Sequence, residues 1–221
     1  MTSLASKRIL ITGGAGFIFS NLTRRLVNAG AEVAVIVKYD SVIDNVRIAD
    51  IWDRVHKIEA DVRDLDALAP IRDFKPHLIY HAAAYNHVGG SFGKVTESLD
   101  VNAKGTANVL EAYDNYERFV YISTSEIYGY QNEPVFSEGM DPQPISPYSI
   151  GKYSGELYCR MKMDIVKRPI AIVRPFNAFG PYQTTRAIIP EIIENCLLER
   201  TVCSTEGKQT REFNFVENLV D

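Results

Sequence analysis

Tyr148 and Lys152 stand four positions apart in Tyr148-Ser149-Ile150-Gly151-Lys152, a stretch that reads as the start of a helix. Two side chains at that spacing share one helix face, one turn apart. A free tyrosine titrates at about pH 10 and is a poor base at neutrality. A lysine cation one turn away favours the tyrosinate, so the pair is a candidate general base. A second polar group, Ser123-Thr124-Ser125-Glu126, follows the apolar run Phe119-Val120-Tyr121-Ile122. Polar residues at the carboxyl end of a central strand are where a doubly wound sheet keeps its chemistry. Arg174, Arg186 and Arg211 are each able to meet a diphosphate through bidentate contacts.

The elements that position these residues begin with Lys7–Asn21. Ile9-Leu10-Ile11 reads as a buried strand, Thr12-Gly13-Gly14-Ala15-Gly16 as a tight turn, and Phe17 to Ala29 as a helix burying Ile18, Leu22, Leu26 and Val27. Glycine lets the backbone approach a pyrophosphate, and the helix N-terminus presents free N–H groups, so this unit makes a place for a dinucleotide. A third small residue is expected at position 19, where helix and strand pack closely; Phe19 stands there. If a dinucleotide binds, either the helix shifts or the ring points away from the strand.

Glu32–Val37 reads as a second strand. A carboxylate at its end would take the ribose hydroxyls of NAD, whereas a cation suits the 2′-phosphate of NADP. Val37 and Lys38 occupy the strand end and Asp40 comes later in the loop, a pattern that favours NADP. Ser41 to Trp52 is a polar connection. His56–Ala60 is a third strand running into Asp61-Val62-Arg63-Asp64, and Leu65 to Phe74 is helical, stopped by Pro76. Leu78–His81 is a fourth strand, and the small residues Ala82-Ala83-Ala84 after it let a flat or phosphate-bearing ligand lie close. Tyr85 to Phe92 reads as a loop in which His87 has no second metal ligand spaced near it.

Lys94 to Tyr116 is expected to be one long helix with Leu99, Val101, Val109, Leu110 and Ala112 apolar and Asn102 able to hold backbone or water. Phe119–Ser123 is a fifth strand. A loop with Pro134, Pro142, Pro144 and Pro147 leads to the Tyr148 helix, which runs to about Met163. Ile170–Arg174 is a sixth strand, followed by a loop from Pro175 to Arg186. The βα alternation predicts a parallel sheet covered on both faces, a Rossmann-type doubly wound fold over residues 1–174, with the beginning of a small C-terminal substrate lobe over 175–221.

Composition agrees with this and excludes other classes. The 221 residues are 46% hydrophobic, enough for a real core. Net charge is −4, so no basic field argues for nucleic acid. The three cysteines, Cys159, Cys196 and Cys203, have no metal or CxxC spacing, and an odd count argues against a disulfide framework. No run of ~18 apolar residues is present to span a membrane, and Met1–Lys7 has no apolar core, so a cytoplasmic enzyme without a metal is expected.

The glycine turn, Ser123-Thr124, Tyr148-x-x-x-Lys152 and Arg174-Pro175-Phe176-Asn177-Ala178-Phe179-Gly180-Pro181, in that order, resemble the extended short-chain dehydrogenase/reductases over essentially the whole chain. Within these the sequence is similar to the NAD(P)-dependent nucleotide-sugar epimerases and dehydratases. Thr124-Ser125-Glu126 is similar to the triplet of the 4,6-dehydratases. Lys38 resembles the basic residue of GDP-mannose-type enzymes, while the segments at Gln183–Pro190 and Thr210–Val216 look like those of UDP-N-acetylglucosamine-type enzymes, so base and sugar stay open.

The resemblance implies a reaction and its players. Tyr148 takes the proton of the sugar C4 hydroxyl as hydride leaves C4, with Thr124 holding the C4 oxygen. Glu126 removes the C5 proton and returns it to the departing C6 hydroxyl, since Ser125 is a weak acid, and hydride then returns to C6. Cofactor contacts are implied at Gly13, Gly16, Phe17, Ile18, Lys38, Asp61, Val62, Ala82, Ala83, Tyr148 and Lys152. Substrate contacts are implied at Asn177, Arg186 and Arg211, with Arg174 either structural or on a phosphate. A nucleotide-diphosphate sugar is the implied partner, and the helices from Lys94 and Tyr148 resemble the pair that forms a four-helix bundle in homodimers of the family. A 4-epimerase using Tyr148 and Thr124 with Glu126 idle, and a non-catalytic dinucleotide-binding module, are the alternatives.

Overall fold

The computed structural model describes residues 4–38, 46–133, 135–204, 206–208 and 210–221. Asp40, the start of the Ser41 connection and Pro134 lie outside the described residues. Six strands, β1 (Arg8–Thr12), β2 (Glu32–Val37), β3 (His56–Glu59), β4 (Leu78–His81), β5 (Arg118–Ile122) and β6 (Ile170–Val173), form one sheet in the order β3-β2-β1-β4-β5-β6. Every pairing in it is parallel.

The strands are nearly continuous apolar runs because both faces of the sheet are covered. Ile9, Ile11, Val33 and Val35 point into one core; Leu10, Ala34 and Ile36 point into the other. Burying a side chain of this size contributes about 1.5–3 kcal/mol, so the alternation on β1 and β2 fixes the sheet between two helical layers. This is the Rossmann-type doubly wound fold. Its strand order reverses between β1 and β4, which opens a crevice at their carboxyl ends.

Helix α1 (Phe17–Asn28) leaves the glycine turn directly, and Gly30 at φ 83° closes it. Leu22, Leu26 and Val27 are buried as expected, but Ile18 is only half-buried and turns toward the crevice. The expected helix over 65–74 is broken into a 3-10 turn, Asp66–Leu68, and a short α2 (Ile71–Phe74). Pro70 between them has no N–H to continue a helical ladder. Lys75, left-handed at φ 51°, ends α2 before Pro76 is reached. The loop before Phe92 holds a short helix, α3 (Val88–Ser91), capped by His87, whose Nδ1 accepts the Gly90 N–H at 2.6 Å.

The long helix expected over 94–116 is interrupted. It consists of α4 (Val95–Leu99), a wider π-type turn (Asp100–Lys104) and α5 (Gly105–Ala112), and Tyr113 is extended. Ser98, Asn102 and Thr106 are all fully buried or nearly so on this run, while Leu99 and Val101 are half-buried. These small polar residues face α6 (Pro147–Asp164) at close range. A Cβ on Gly155 would come 2.5 Å from the Tyr121 hydroxyl and 2.9 Å from the Asn102 carbonyl. Helix α6 starts on a reciprocal Ser146–Ser149 capping box with Pro147 in its first turn.

After β6, the segment expected to be loop carries β7 (Asn177–Phe179), which pairs in parallel with β8 (Phe213–Phe215). Between them lies α7 (Ile188–Leu197), and α8 (Val216–Val220) follows β8. Strands of three residues are too short for a period-2 pattern to register. Helix α8 returns to α1, with Val220 against the core and Asp221 paired to Arg25.

Candidate active site

The crevice begins at the glycine turn. Gly13 sits at φ 72°, and a Cβ there would lie 2.8 Å from the Ala83 nitrogen, so the turn and the start of the β4 exit are in backbone contact. Helix α1 opens on Gly16 with no side-chain cap and no acidic residue in its first turn, leaving its N–H groups available to an anion. One half of the crevice is lined by Gly13, Gly16, Lys38, Asp61, Val62, Ala82 and Ala83. Ala84 lines it too, as its small size suggested, and so do Tyr85, Asn86 and Glu97, which were not expected; Tyr85 and Asn86 simply continue the β4 exit. A bare glycine floor, alanine walls and an uncapped helix end fit a dinucleotide.

At the β2 edge, Lys38 Nζ is 3.6 Å from Asp61 Oδ2. Arg63 grips the same carboxylate, with Nε 2.9 Å from Oδ1. That hydrogen bond holds the Asp61 carboxyl down at about 2, so it is ionised throughout the neutral range.

The other half of the crevice brings together Phe17, Ile18, Thr124, Ser125, Glu126, Tyr148, Lys152 and Asn177. Ser125–Tyr128 form a 3-10 turn, and Thr124 caps it by accepting the Glu126 N–H at 3.2 Å. The Tyr148 phenol stands in the same wall of the crevice; burial raises its pKa most, the neighbouring Thr124 hydroxyl acts to lower it, and the Glu126 carboxylate is near enough to raise it by charge. Lys152 is 2% exposed, with Nζ 4.6 Å over the Tyr121 ring. The Tyr121 hydroxyl donates to the Lys152 carbonyl at 2.8 Å.

Burial reverses one expectation. It pushes Tyr148 above its ordinary value and pulls Lys152 down to about 7, so the chain by itself holds the pair toward its neutral forms. Spacing along the helix places the cation, but desolvation governs its charge.

Phe19 stands on α1 between the core and the crevice. Its side chain packs, partly buried, against the core on that face and also lines the crevice. The tight helix–strand approach falls at Gly14, where a Cβ would lie 2.8 Å from Val35 Cγ1.

Arg174 does not meet the crevice. It pairs with the fully buried Glu156, its Nη1 donates to the Tyr128 hydroxyl at 2.9 Å, and its guanidinium stacks 5.0 Å over the Tyr128 ring. Arg174 is therefore structural, not a phosphate ligand. Arg186 and Arg211 are exposed and do not line the crevice; Arg211 donates to the Thr210 carbonyl at 2.8 Å. Asn177 does line it, and its amide donates to the Glu212 carbonyl at 3.2 Å. Asn102 holds backbone as expected: it accepts from the Tyr85 N–H at 2.9 Å and donates to the Tyr85 carbonyl at 3.1 Å. Among the described residues no group of His, Cys, Asp and Glu is arranged to hold a metal, and no helix is long and apolar enough to cross a membrane.

Fold and crevice together define a dinucleotide-binding α/β protein with a Tyr–Lys pair at the strand ends. Residues 9–221 match the NAD dependent epimerase/dehydratase family, and the chain belongs to it. It is 30% identical over 224 residues to human dTDP-D-glucose 4,6-dehydratase, covering 98% of this chain and 64% of that protein. The chain thus spans less than two thirds of that relative's length. Among solved structures, UDP-glucuronic acid 4-epimerase from Bacillus cereus, in complex with UDP-glucuronic acid and NAD, superposes with a TM-score of 0.85 at 30% identity, covering 96% of this chain and 70% of that one. The dTDP-glucose 4,6-dehydratase of Streptomyces venezuelae, with NAD bound, gives a TM-score of 0.87 at 28% identity, covering 96% and 69%.

Proposed function

We propose that this chain carries the cofactor and catalytic half of an NAD(P)-dependent nucleotide-sugar 4,6-dehydratase. The observation that carries the reading is the convergence of Thr124, Ser125, Glu126, Tyr148 and Lys152 on one crevice wall, with Thr124 and Glu126 both near enough to act on the Tyr148 phenol. A base for the C4 hydroxyl, an oxygen holder and a second proton carrier are the three protein groups that dehydration needs.

A dinucleotide, which Gly13, Gly16, Ala82 and Ala83 would hold, would supply hydride acceptance from C4 and hydride return to C6, and a positive ring that favours the tyrosinate. Tyr148 accepts the C4 hydroxyl proton, and Lys152 beneath it supports the charge that forms. Thr124 orients the C4 oxygen. Once C4 is a ketone, the C5 proton is acidic; Glu126 removes it, delivers it to the C6 hydroxyl as water departs, and then passes a solvent proton to C5 as C6 is reduced. Ser125 hydrogen-bonds substrate without acting as an acid. Asn177, in the crevice wall, holds the sugar or a phosphate; Arg186 and Arg211 lie outside the crevice and have no part in holding it.

Lys38 at the β2 end is the basis for preferring NADP over NAD, since a cation there can meet a 2′-phosphate. A homodimer through α4–α5 and α6 is supported by the exposed Val95, Ile150, Leu157 and Met161 on those helices. The alternative with specific support is a 4-epimerase, because Ser125 offers no acid for the C6 hydroxyl and one similar solved structure is a UDP-glucuronic acid 4-epimerase.

Incubation of the protein with a panel of nucleotide hexoses tests the reading. A product absorbing in alkali as a 4-keto sugar and lighter by one water supports it. An isomer at C4 of unchanged mass contradicts it in favour of epimerisation. Bound dinucleotide with no conversion of any sugar favours a binding module.

A further inference from the structure

Glu156 lies on α6, four residues after Lys152 and eight after Tyr148, and its side chain is completely buried. A buried carboxylate without partners is expensive, yet this one is fully supplied. Its Oε1 accepts from Arg160 Nη2 at 2.8 Å and from Arg174 Nη2. Its Oε2 accepts from the Ser123 hydroxyl at 3.0 Å and from Arg174 Nε at 3.1 Å. These contacts cross three segments. Ser123 is the residue before Thr124 at the end of β5. Arg174 directly follows β6 and, through the Tyr128 hydroxyl, holds the 3-10 turn that contains Ser125 and Glu126.

Glu156 itself does not line the crevice. It faces a separate cavity with Tyr128, Glu138, Arg160 and Arg174. One carboxylate behind the site therefore joins the helix bearing Tyr148 and Lys152 to the strand end bearing Thr124 and the turn bearing Glu126. The close approaches at Gly151 and Gly155 set how near α6 lies to β5 and the π-type turn, and the Glu156 contacts tie the helix to β5 and β6 on its other side. A roll of roughly 10° carries a tyrosine hydroxyl by more than ~1 Å, given the radius of a helix and the reach of the side chain. A misplacement of about 1 Å can cost on the order of 100-fold in rate.

We propose that Glu156 is a positioning residue: bound to Ser123 and Arg174, it fixes the roll of α6 so that the Tyr148 phenol meets Thr124. This rests on reading the crevice as a nucleotide-sugar site, and two readouts separate the claims. The first uses Ser123→Ala, which deletes the hydroxyl tie and leaves every charge paired, beside Glu156→Gln, which keeps the shape and loses the charge. For a nucleotide sugar that the protein converts, kcat is expected to fall about 10- to 100-fold in both variants, with KM and the dinucleotide Kd within about 3-fold of the parent. The second readout needs no sugar: tyrosinate absorbance is followed against pH, with Tyr148 assigned by the difference from a Tyr148→Phe variant. Losing Thr124 as a partner moves the Tyr148 midpoint upward in Ser123→Ala.

An unchanged Tyr148 midpoint in Ser123→Ala overturns the proposal. So does a fall in kcat matched by an equal rise in KM and Kd, which is general loosening. If the parent protein converts no nucleotide sugar, the functional reading fails, and the Tyr148 titration alone decides the role of Glu156.

Discussion

The Thr12 hydroxyl donates to His81 Nδ1 across 2.7 Å, and both residues are completely buried. The direction follows from counting partners. Thr12 Oγ1 already accepts the N–H groups of Ala82 at 3.1 Å and Ala83 at 3.0 Å, so its own proton must go to the imidazole. On the other side His81 Nε2 lies 3.0 Å from Thr106 Oγ1, whose proton goes to the Asn102 carbonyl at 2.7 Å. His81 is thus the neutral Nε2–H tautomer, and an imidazolium would leave a donor facing the Thr12 donor.

A pH dependence of stability follows. Burial pulls His81 down to about 3, whereas an unfolded histidine titrates near 6.5. Because the folded value is the lower one, the unfolded chain binds the proton first. The stabilisation is complete above the unfolded value, erodes as pH falls below it, and is gone below the folded one. The full swing is on the order of 5 kcal/mol. Thermal unfolding between pH 7 and 4 checks this: His81→Gln, which can accept from Thr12 and donate to Thr106, should show a shallower decline than the parent. Parallel curves would contradict it.

Arg174 and Arg160 both touch Glu156 but differ in burial, 10% against 51% side-chain exposure. Arg174→Ala strips a buried carboxylate of its principal partner and should cost about 3 kcal/mol. Arg160→Ala removes a half-exposed partner and should cost under ~1 kcal/mol. Urea unfolding of the two variants gives the comparison; equal losses would show that Glu156 is not effectively desolvated.

Much of this was legible in the residues before the fold was known. The runs around Ile9, Val33, Ile79 and Phe119 announce buried parallel strands because β-branched and aromatic side chains fill both cores. Tyr148 and Lys152 could be placed on one face because helical spacing is local. What sequence spacing does not carry is partnership across the fold. Arg174 looked equally suited to a phosphate, and only the burial of Glu156 beside it decides otherwise. The depressed Lys152 likewise depends on what α6 packs against. The π-type turn at Asp100–Lys104 escaped because one extra residue per turn leaves an apolar pattern nearly intact. Phe19 looked like a flaw until Gly14 proved to be the tight contact.

Lys38 carries the expected preference for a 2′-phosphate. Lys38→Ala should weaken NADP binding about tenfold while NAD affinity stays within about twofold, measured by fluorescence titration. Its distance from Asp61 makes the complementary change informative, since Asp61→Asn should leave Lys38 free to meet the phosphate and not weaken NADP. Equal losses for both dinucleotides in Lys38→Ala would mean that the lysine only balances Asp61.

Glu126 distinguishes dehydration from epimerisation. Glu126→Gln should lower turnover by roughly 10²–10⁴-fold, the usual contribution of a positioned proton carrier, while dinucleotide affinity is unchanged. Oxidation at C4 should survive in the variant, seen as reduced cofactor that accumulates under single-turnover conditions. Undiminished steady-state turnover would remove Glu126 from the mechanism.

The most direct test is turnover of a nucleotide hexose in deuterated water, with the product read by mass and proton NMR. Dehydration through Tyr148, Thr124 and Glu126 predicts a 4-keto-6-deoxy sugar carrying solvent deuterium at C5, because the C5 proton must leave and be replaced. A C4 isomer of unchanged mass, with its original C5 proton intact, would contradict the dehydratase account.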